Sequence, residues 1–136
     1  LPLKGIVTPH AGEFKRISGI SLSDLPYRER IEPLRGYARE KCLVVLLKGN
    51  VDLISDGEVV RANATGNPGM TVGGTGDVLA GITAAFYSRA SPLRAAVAAA
   101  FVNGLAGDLA YLERDYGLLA TDVIEKIPLA MRVDGS

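Results

Sequence analysis

Between Asn63 and Gly81 (NATGNPGMTVGGTGDVLAG) the chain carries six glycines in nineteen residues: Gly66, Gly69, Gly73, Gly74, Gly76 and Gly81. It then passes straight into an apolar-periodic helix, with Val78, Leu79, Ile82, Ala85 and Phe86 on one face. Glycines ahead of a helix let the backbone approach a ligand closely, with amide N–H groups pointing at it. The first turn of a helix leaves such donors unpaired and carries a partial positive charge, which suits a phosphate. Asp77 stands in that turn, where the same field favours its carboxylate form. An anion hole beside a fixed carboxylate is an arrangement for phosphoryl transfer. The bland alternative is a flexible loop before an ordinary capped helix, because glycine-rich turns alone are weak evidence.

A second candidate group precedes the loop. Leu43 to Leu47 (LVVLL) is a continuous apolar run, as expected of a strand buried on both faces of a parallel sheet. Lys48-Gly49-Asn50-Val51-Asp52 closes it. A lysine at the C-terminal end of such a strand lies where ligands of open α/β sheets bind; by itself it also reads as a surface lysine capping a strand. The adjacent glycine and the nearby anion loop favour the first reading. Cys42 reads as a small buried apolar residue rather than a nucleophile, since no histidine neighbours it in sequence.

The totals exclude several function classes. The 136 residues are 48% apolar with a mean hydropathy of +0.21, enough for a substantial core. Fifteen basic residues balance fifteen acidic ones, which argues against a nucleic-acid partner. One histidine makes a histidine-based metal site improbable, and one cysteine rules out an internal disulfide framework. The longest uncharged apolar run, Ala95 to Gly107, falls short of the ~20 residues that span a bilayer. With no targeting segment visible, the reading is a soluble cytoplasmic protein without a membrane partner.

The elements that must position these residues follow in order. Ile6-Val7 reads as a short strand, and Thr8-Pro9-His10-Ala11-Gly12-Glu13 leads into a short helix through Ile17. Such a crossover unit needs neighbouring strands, of which the chain supplies few, so it reads as the C-terminal part of a larger domain. A helix spans Pro26 to Lys41, with Asp24 as a possible cap and Ile31, Leu34, Tyr37 and Ala38 on one face. Asp56-Gly57 signals a hairpin between Val51–Ser55 and Glu58–Ala62. Helix Thr75 to Arg89 precedes a second helix, opened by Ser91-Pro92 and running to about Glu113. Leu93, Val97, Phe101, Leu105, Leu109 and Leu112 form its expected stripe, and Gly104 and Gly107 are expected to let it pack closely on the preceding helix. Thr121-Asp122 reads as the cap of a last helix, Val123 to about Met131, bent or shortened by Pro128.

Taken together, TPHAGE, VLLKGNVDLISDG and ATGNPGMTVGGTGDVLAG closely resemble the NAD(P)H-hydrate dehydratase family, ribokinase-like proteins that repair hydrated nicotinamide nucleotides. The likeness continues through the alanine-rich helix and ATDVIEKIP, and so covers essentially all of residues 1–136. GTGD alone is shared by many ribokinase-like kinases; TPHAGE joined to GNPGMTVGGTGD is far more specific. The resemblance implies an α/β class fold, a ribokinase-like three-layer α/β/α arrangement with a mostly parallel central sheet, of which residues 1–136 are the C-terminal portion. It implies that His10 contacts the hydrated dinucleotide, with a locally hydrogen-bonded turn histidine as the alternative. Glu13 would organise Mg²⁺ and phosphate through water, or else simply stabilise a helix N-terminus. Lys48, Gly49, Asn50, Val51 and Asp52 would form the adenine-nucleotide loop; Gly74, Thr75 and Gly76 the anion hole, with Gly76 also touching the nucleotide. Asp77 would be the catalytic residue facing the substrate hydroxyl. Two positions depart from the family: Val72, where a smaller residue is common, and Asn103, where many members carry histidine.

The chemistry so implied is dehydration of NADHX or NADPHX by way of a phosphate ester, with ADP (or ATP) and Mg²⁺ and with ADP the expected donor. Expected partners are the missing N-terminal half, an epimerase domain in some relatives, and further copies of the protein. The rival reading is a vitamin-precursor kinase of the hydroxymethylpyrimidine or hydroxyethylthiazole type, which stops at the phosphate ester. His10 and Asp77 both argue for the dehydratase, since those kinases usually carry asparagine at the first place and thiazole kinases often cysteine at the second. A third reading is a catalytically silent nucleotide-binding module.

Overall fold

The computed structural model describes residues 2–132. The apolar run ahead of Lys48 forms strand β2 (Val44–Leu47), every residue of which is buried. Strand β1 (Ile6–Val7) pairs with it in parallel, Ile6 opposite Val44 and Val7 opposite Val45. Strands β3 (Asp52–Ser55) and β4 (Val60–Asn63) continue the sheet on the other side in antiparallel register, giving the order β1-β2-β3-β4. The sheet of this chain is therefore mixed, and the expectation of a mostly parallel one holds only for β1 and β2. Connection length decides this. A parallel return needs a crossover of a dozen or more residues, which helices α1 (Ala11–Ser18) and α2 (Tyr27–Lys41) supply between β1 and β2. The short links after β2 and β3 allow only a reversal.

Alternate residues of the strands face two apolar layers. Val44, Leu46 and Ile54 pack with α3 (Thr75–Tyr87), α4 (Pro92–Arg114) and α5 (Ala120–Ala130). Val45, Leu47 and Leu53 pack on Phe14 of α1 and on Leu34 and Ala38 of α2. The result is the expected three-layer α/β/α arrangement.

Several local expectations are corrected. The hairpin turn takes four residues, Asp56 to Val59, because Ser55 pairs with Val60. The Asp56 carboxylate accepts from the Glu58 and Val59 amides and Gly57 adopts φ +98°, so Asp-Gly opens a wider turn than the two-residue one. Asp24 does not cap α2; Pro26 precedes it without a side-chain hydrogen bond. At its other end Cys42 takes the left-handed conformation, φ 53°, that stops the helix just before β2. Helix α5 starts at Ala120, with the Asp122 carboxylate reaching back to the Leu119 amide at 2.7 Å, so Thr121 and Asp122 lie inside the helix.

The largest correction concerns α4. Its buried residues are Ala95, Ala96, Ala99, Ala100, Val102, Gly104, Ala106, Gly107 and Ala110. Of the expected stripe, Leu93, Val97, Leu105 and Leu109 are partly buried against the core, whereas Leu112 is 81% and Phe101 38% exposed. A helix wedged between a sheet and two other helices needs close approach, and small side chains permit it. By length and apolar content the helical span Pro92–Gly117 could cross a bilayer, unlike the shorter uncharged run, but 56% of its apolar window is buried within the protein. That is the position of a core helix.

Candidate active site

Parallel pairing of β1 with β2 extends past both strands. The Lys48 amide donates to the Pro9 carbonyl at 2.9 Å, and His10 lies opposite Lys48. His10 is the N-cap of α1: its Nδ1 accepts from the Glu13 amide at 3.1 Å, while Glu13 Oε1 accepts from the His10 amide at 3.1 Å. In this reciprocal capping box Nδ1 is used by the helix start, and Nε2 lies 3.3 Å from Glu13 Oε1. Lys48 Nζ approaches the same oxygen at 3.8 Å. The hydrogen bond from the His10 amide above all, helped by the positive charges of Lys48 and Arg16, holds the Glu13 carboxyl below its usual range. The locally hydrogen-bonded reading of His10 thus describes one edge of its ring; the side chain remains 55% exposed.

The turn after β2 is closed from inside. Asp52 Oδ1 accepts from the Gly49 amide at 3.1 Å, and its Oδ2 accepts from Asn63 Nδ2 at 3.0 Å. The Asn63 amide also donates to the Ala100 carbonyl of α4. Burial pushes the Asp52 carboxyl up, against the pull of Asn63, the Gly49 amide and Lys48. Val51 N–H donates to the Tyr27 hydroxyl. Among the five residues expected to touch a nucleotide, Asp52 therefore faces inward, while Gly49 and Asn50 are exposed and Lys48 is partly so. A Cβ at Gly49 would lie 3.3 Å from the Val51 carbonyl oxygen, which accounts for glycine there.

The glycine-rich loop ends at Gly74, in the left-handed conformation with φ +93°, as the residue before α3. No side chain caps α3, so its first-turn amides are left to a ligand or solvent. The Thr75 hydroxyl donates back to the Met70 and Val72 carbonyls at 2.7 and 3.1 Å. Its side chain thus braces the loop, and only its backbone is available to an anion. Gly76 lies beneath Lys48: a Cβ there would be 3.4 Å from the Lys48 ammonium. Asp77 is exposed in the same turn, at the rim of an apolar groove of about 570 Å³ between α3 and α5. The fold so brings Glu13, Lys48 and Gly76 together, with Asp77 one residue on. Among the described residues no three His, Cys, Asp or Glu side chains gather as a metal-binding group.

One part of the arrangement was missed in the sequence. The loop rests on α4, not on solvent. Gly66 N–H donates to Asp108 Oδ2 at 3.1 Å and Asn67 Nδ2 to Asp108 Oδ1 at 2.8 Å, while the Thr65 hydroxyl donates to the Phe101 carbonyl at 3.1 Å. Gly104 and Gly107 lack a Cβ where Thr65 and Met70 press against the helix. Their expected role, close packing on α3, is thereby corrected. The available signal was the pattern Gly104, Gly107, Asp108 in a helix otherwise rich in alanine.

Comparison with known proteins gives the family and the fold. A sequence profile described as NAD(P)H-hydrate dehydratase matches residues 3–129. The chain is 50% identical over 131 residues to a bifunctional NAD(P)H-hydrate repair enzyme of Hyperthermus butylicus, covering 94% of this chain and 24% of that protein. It is 46% identical over 128 residues to an ADP-dependent (S)-NAD(P)H-hydrate dehydratase of Cenarchaeum symbiosum, covering 93% and 44%. A solved ADP/ATP-dependent NAD(P)H-hydrate dehydratase from Bacillus subtilis, co-crystallised with ATP and Mg²⁺, superposes with a TM-score of 0.85 at 30% identity, covering 94% of this chain and 47% of that one. The chain spans less than half the length of each of these relatives.

Proposed function

This chain belongs to the NAD(P)H-hydrate dehydratase family, and from that premise we propose that it supplies the phosphoryl-transfer part of a nucleotide-dependent NADHX/NADPHX dehydratase. The remaining substrate wall would come from an N-terminal half of the same domain, corresponding to the part of the relatives' length outside the matched region. The observation that carries the reading is the convergence of Lys48 on Gly76 at the uncapped start of α3, with Glu13 and Asp77 beside it. The Lys48 ammonium over Gly76 and the unpaired first-turn amides of α3 put positive charge and N–H donors at one place, as a bound phosphate requires.

In this reading hydroxide is a poor leaving group, so the hydrate's hydroxyl is converted to a phosphate ester. The hydroxyl oxygen forms a bond to the transferring phosphorus, whose bond to the donor's bridging oxygen breaks, and the Asp77 carboxylate takes the hydroxyl proton. Amides of Gly74, Thr75 and Gly76 and the Lys48 ammonium hold the charge on the moving group. Phosphate then departs, and loss of a ring proton restores the reduced nicotinamide. ADP is the preferred donor, leaving AMP. Gly49 and Asn50 would lie along the nucleotide, and the exposed His10 edge would meet the dinucleotide. Glu13 would hold Mg²⁺ through water, and the ion would supply neutralisation of phosphate charge.

The test is recovery of nicotinamide absorbance from NADHX with ADP or ATP and Mg²⁺, using this chain alone and then joined to the rest of its domain. Recovery in the complete domain, abolished by Asp77→Asn, is the expected result. Nucleotide binding without recovery, together with phosphorylation of a hydroxymethyl or hydroxyethyl heterocycle, would replace the reading with the vitamin-precursor kinase.

A further inference from the structure

We propose that Asp108 is a positioning residue for the anion site, holding the glycine-rich loop onto α4 so that Gly74 to Gly76 are already in place when the nucleotide arrives. The proposal rests on the reading of those amides as the phosphate site. Asp108 lies one turn after Gly104 and next to Gly107 on the face of α4 that the loop covers. Each of its carboxylate oxygens receives one donor from the loop: Oδ2 the Gly66 amide, Oδ1 the Asn67 side chain. Gly66 takes φ +105°, a conformation that favours glycine, immediately beside the clamp. From there the loop runs through a short turn at Pro68–Met70, whose Met70 carbonyl is the acceptor for Thr75. Asp108 thus grips one end of the loop and Thr75 the other, and the hydrogen bonds of the Asp108 carboxylate go to Gly66 and Asn67, not to the residues assigned to the nucleotide.

Such a clamp acts on population. If the loop leaves α4, the binding-competent fraction falls and apparent nucleotide affinity falls with it, whereas saturating nucleotide pulls the loop back. The signature is a raised KM with kcat retained. Two lost hydrogen bonds of ordinary net strength, since water can replace them at this partly buried carboxylate, correspond to about a tenfold to hundredfold change.

The experiment uses the complete dehydratase domain. Asp108→Ala is expected to raise the ADP dissociation constant in calorimetry, and the KM for ADP in NADHX turnover, by about tenfold to hundredfold, with kcat within about twofold. Asn67→Asp, which sets two carboxylates against each other, is expected to do the same. The exchange Asn67→Asp with Asp108→Asn restores the pair with donor and acceptor reversed and leaves an oxygen for Gly66, so affinity should return toward wild type. Leu112→Gln, on an exposed position of the same helix, serves as control. Unchanged affinity in Asp108→Ala despite a lower melting temperature would overturn the proposal. So would a loss of kcat at unchanged KM, or an exchange variant that folds with wild-type stability yet does not recover affinity. Absence of NADHX turnover in the wild type would sink the dehydratase reading alone, because ADP affinity still decides the role of Asp108.

Discussion

Helices α2 and α4 both carry glycine in their interiors, where it costs about 0.5–1 kcal/mol relative to alanine, and they do so under different surroundings. At Gly36 of α2 an added methyl group meets nothing within 4 Å. At Gly104 of α4 it would strike the Thr65 backbone, and at Gly107 the Met70 side chain. The α2 glycine looks into open space, so the weakening of the helix is uncompensated. The α4 glycines admit a loop that carries the candidate phosphate site. A helix face at a site is shaped by what must lie on it, and the cost in helix propensity is offset by the packing of the loop against that face.

The comparison breaks most readily at Gly104. Gly104→Ala would place its Cβ 2.6 Å from the Thr65 carbonyl carbon and 2.7 Å from its oxygen, so backbone has to move. A net destabilisation of about 1–3 kcal/mol is expected in urea unfolding, with weaker ADP binding. A variant of wild-type stability and affinity would show that the loop does not need this seat. Gly107→Ala should cost less, about 1 kcal/mol, because the group it meets is the flexible Met70 side chain. Pairing it with Met70→Ala should give a cost below the sum of the two single changes, which a double-mutant cycle measures. Gly36→Ala should go the other way, raising stability by about 0.5–1 kcal/mol in the same assay.

The smallest effect separates two carboxylates near Lys48, one on the covered side and one facing solvent. Asp52 is tied through Asn63 to α4, and its carboxyl is pushed above the ordinary ~3.9 by burial. Between those two values the folded state holds a proton that the unfolded chain has lost. The Asp52 contribution to stability therefore grows as pH falls through that window. Glu13, held below its usual range mainly by the His10 amide, contributes fully above ~4.3 and loses that contribution as pH falls through its lowered value. Urea midpoints taken from neutrality down to about pH 3 should show Asp52→Asn removing an acid-side gain and Glu13→Gln removing an acid-side loss. The same sign for both would contradict the assigned surroundings.

Much of the candidate site could be read from residue order. The glycine cluster passes into a helix at Thr75, the buried strand ends at Lys48, and the Pro9 turn opens α1, because each depends on interactions within a few residues. Side-chain direction was less legible. His10 and Glu13 form a capping box, Thr75 turns its hydroxyl to the loop, and Asp52 turns inward. The stripe of α4 located four residues that pack partly buried against the core, but not the deepest positions, which went mostly to alanine and glycine because spacing records only which positions are apolar. The Asp-Gly pair located the β3–β4 turn but not its width, which the pairing of Ser55 with Val60 decides.

The sequence by itself determined the chemical groups on hand: an uncapped helix start behind glycines, a carboxylate at Asp77, a lysine at a strand end, and an alanine-rich helix. Periodicity, capping and turn preference are short-range, so they are written in consecutive residues. The tertiary structure alone decided that the Lys48 ammonium lies over Gly76, that Glu13 joins it, and that the loop rests on α4 under the hold of Asp108. Each of these depends on the approach distance between segments far apart in the chain, and no single segment encodes how closely another will come.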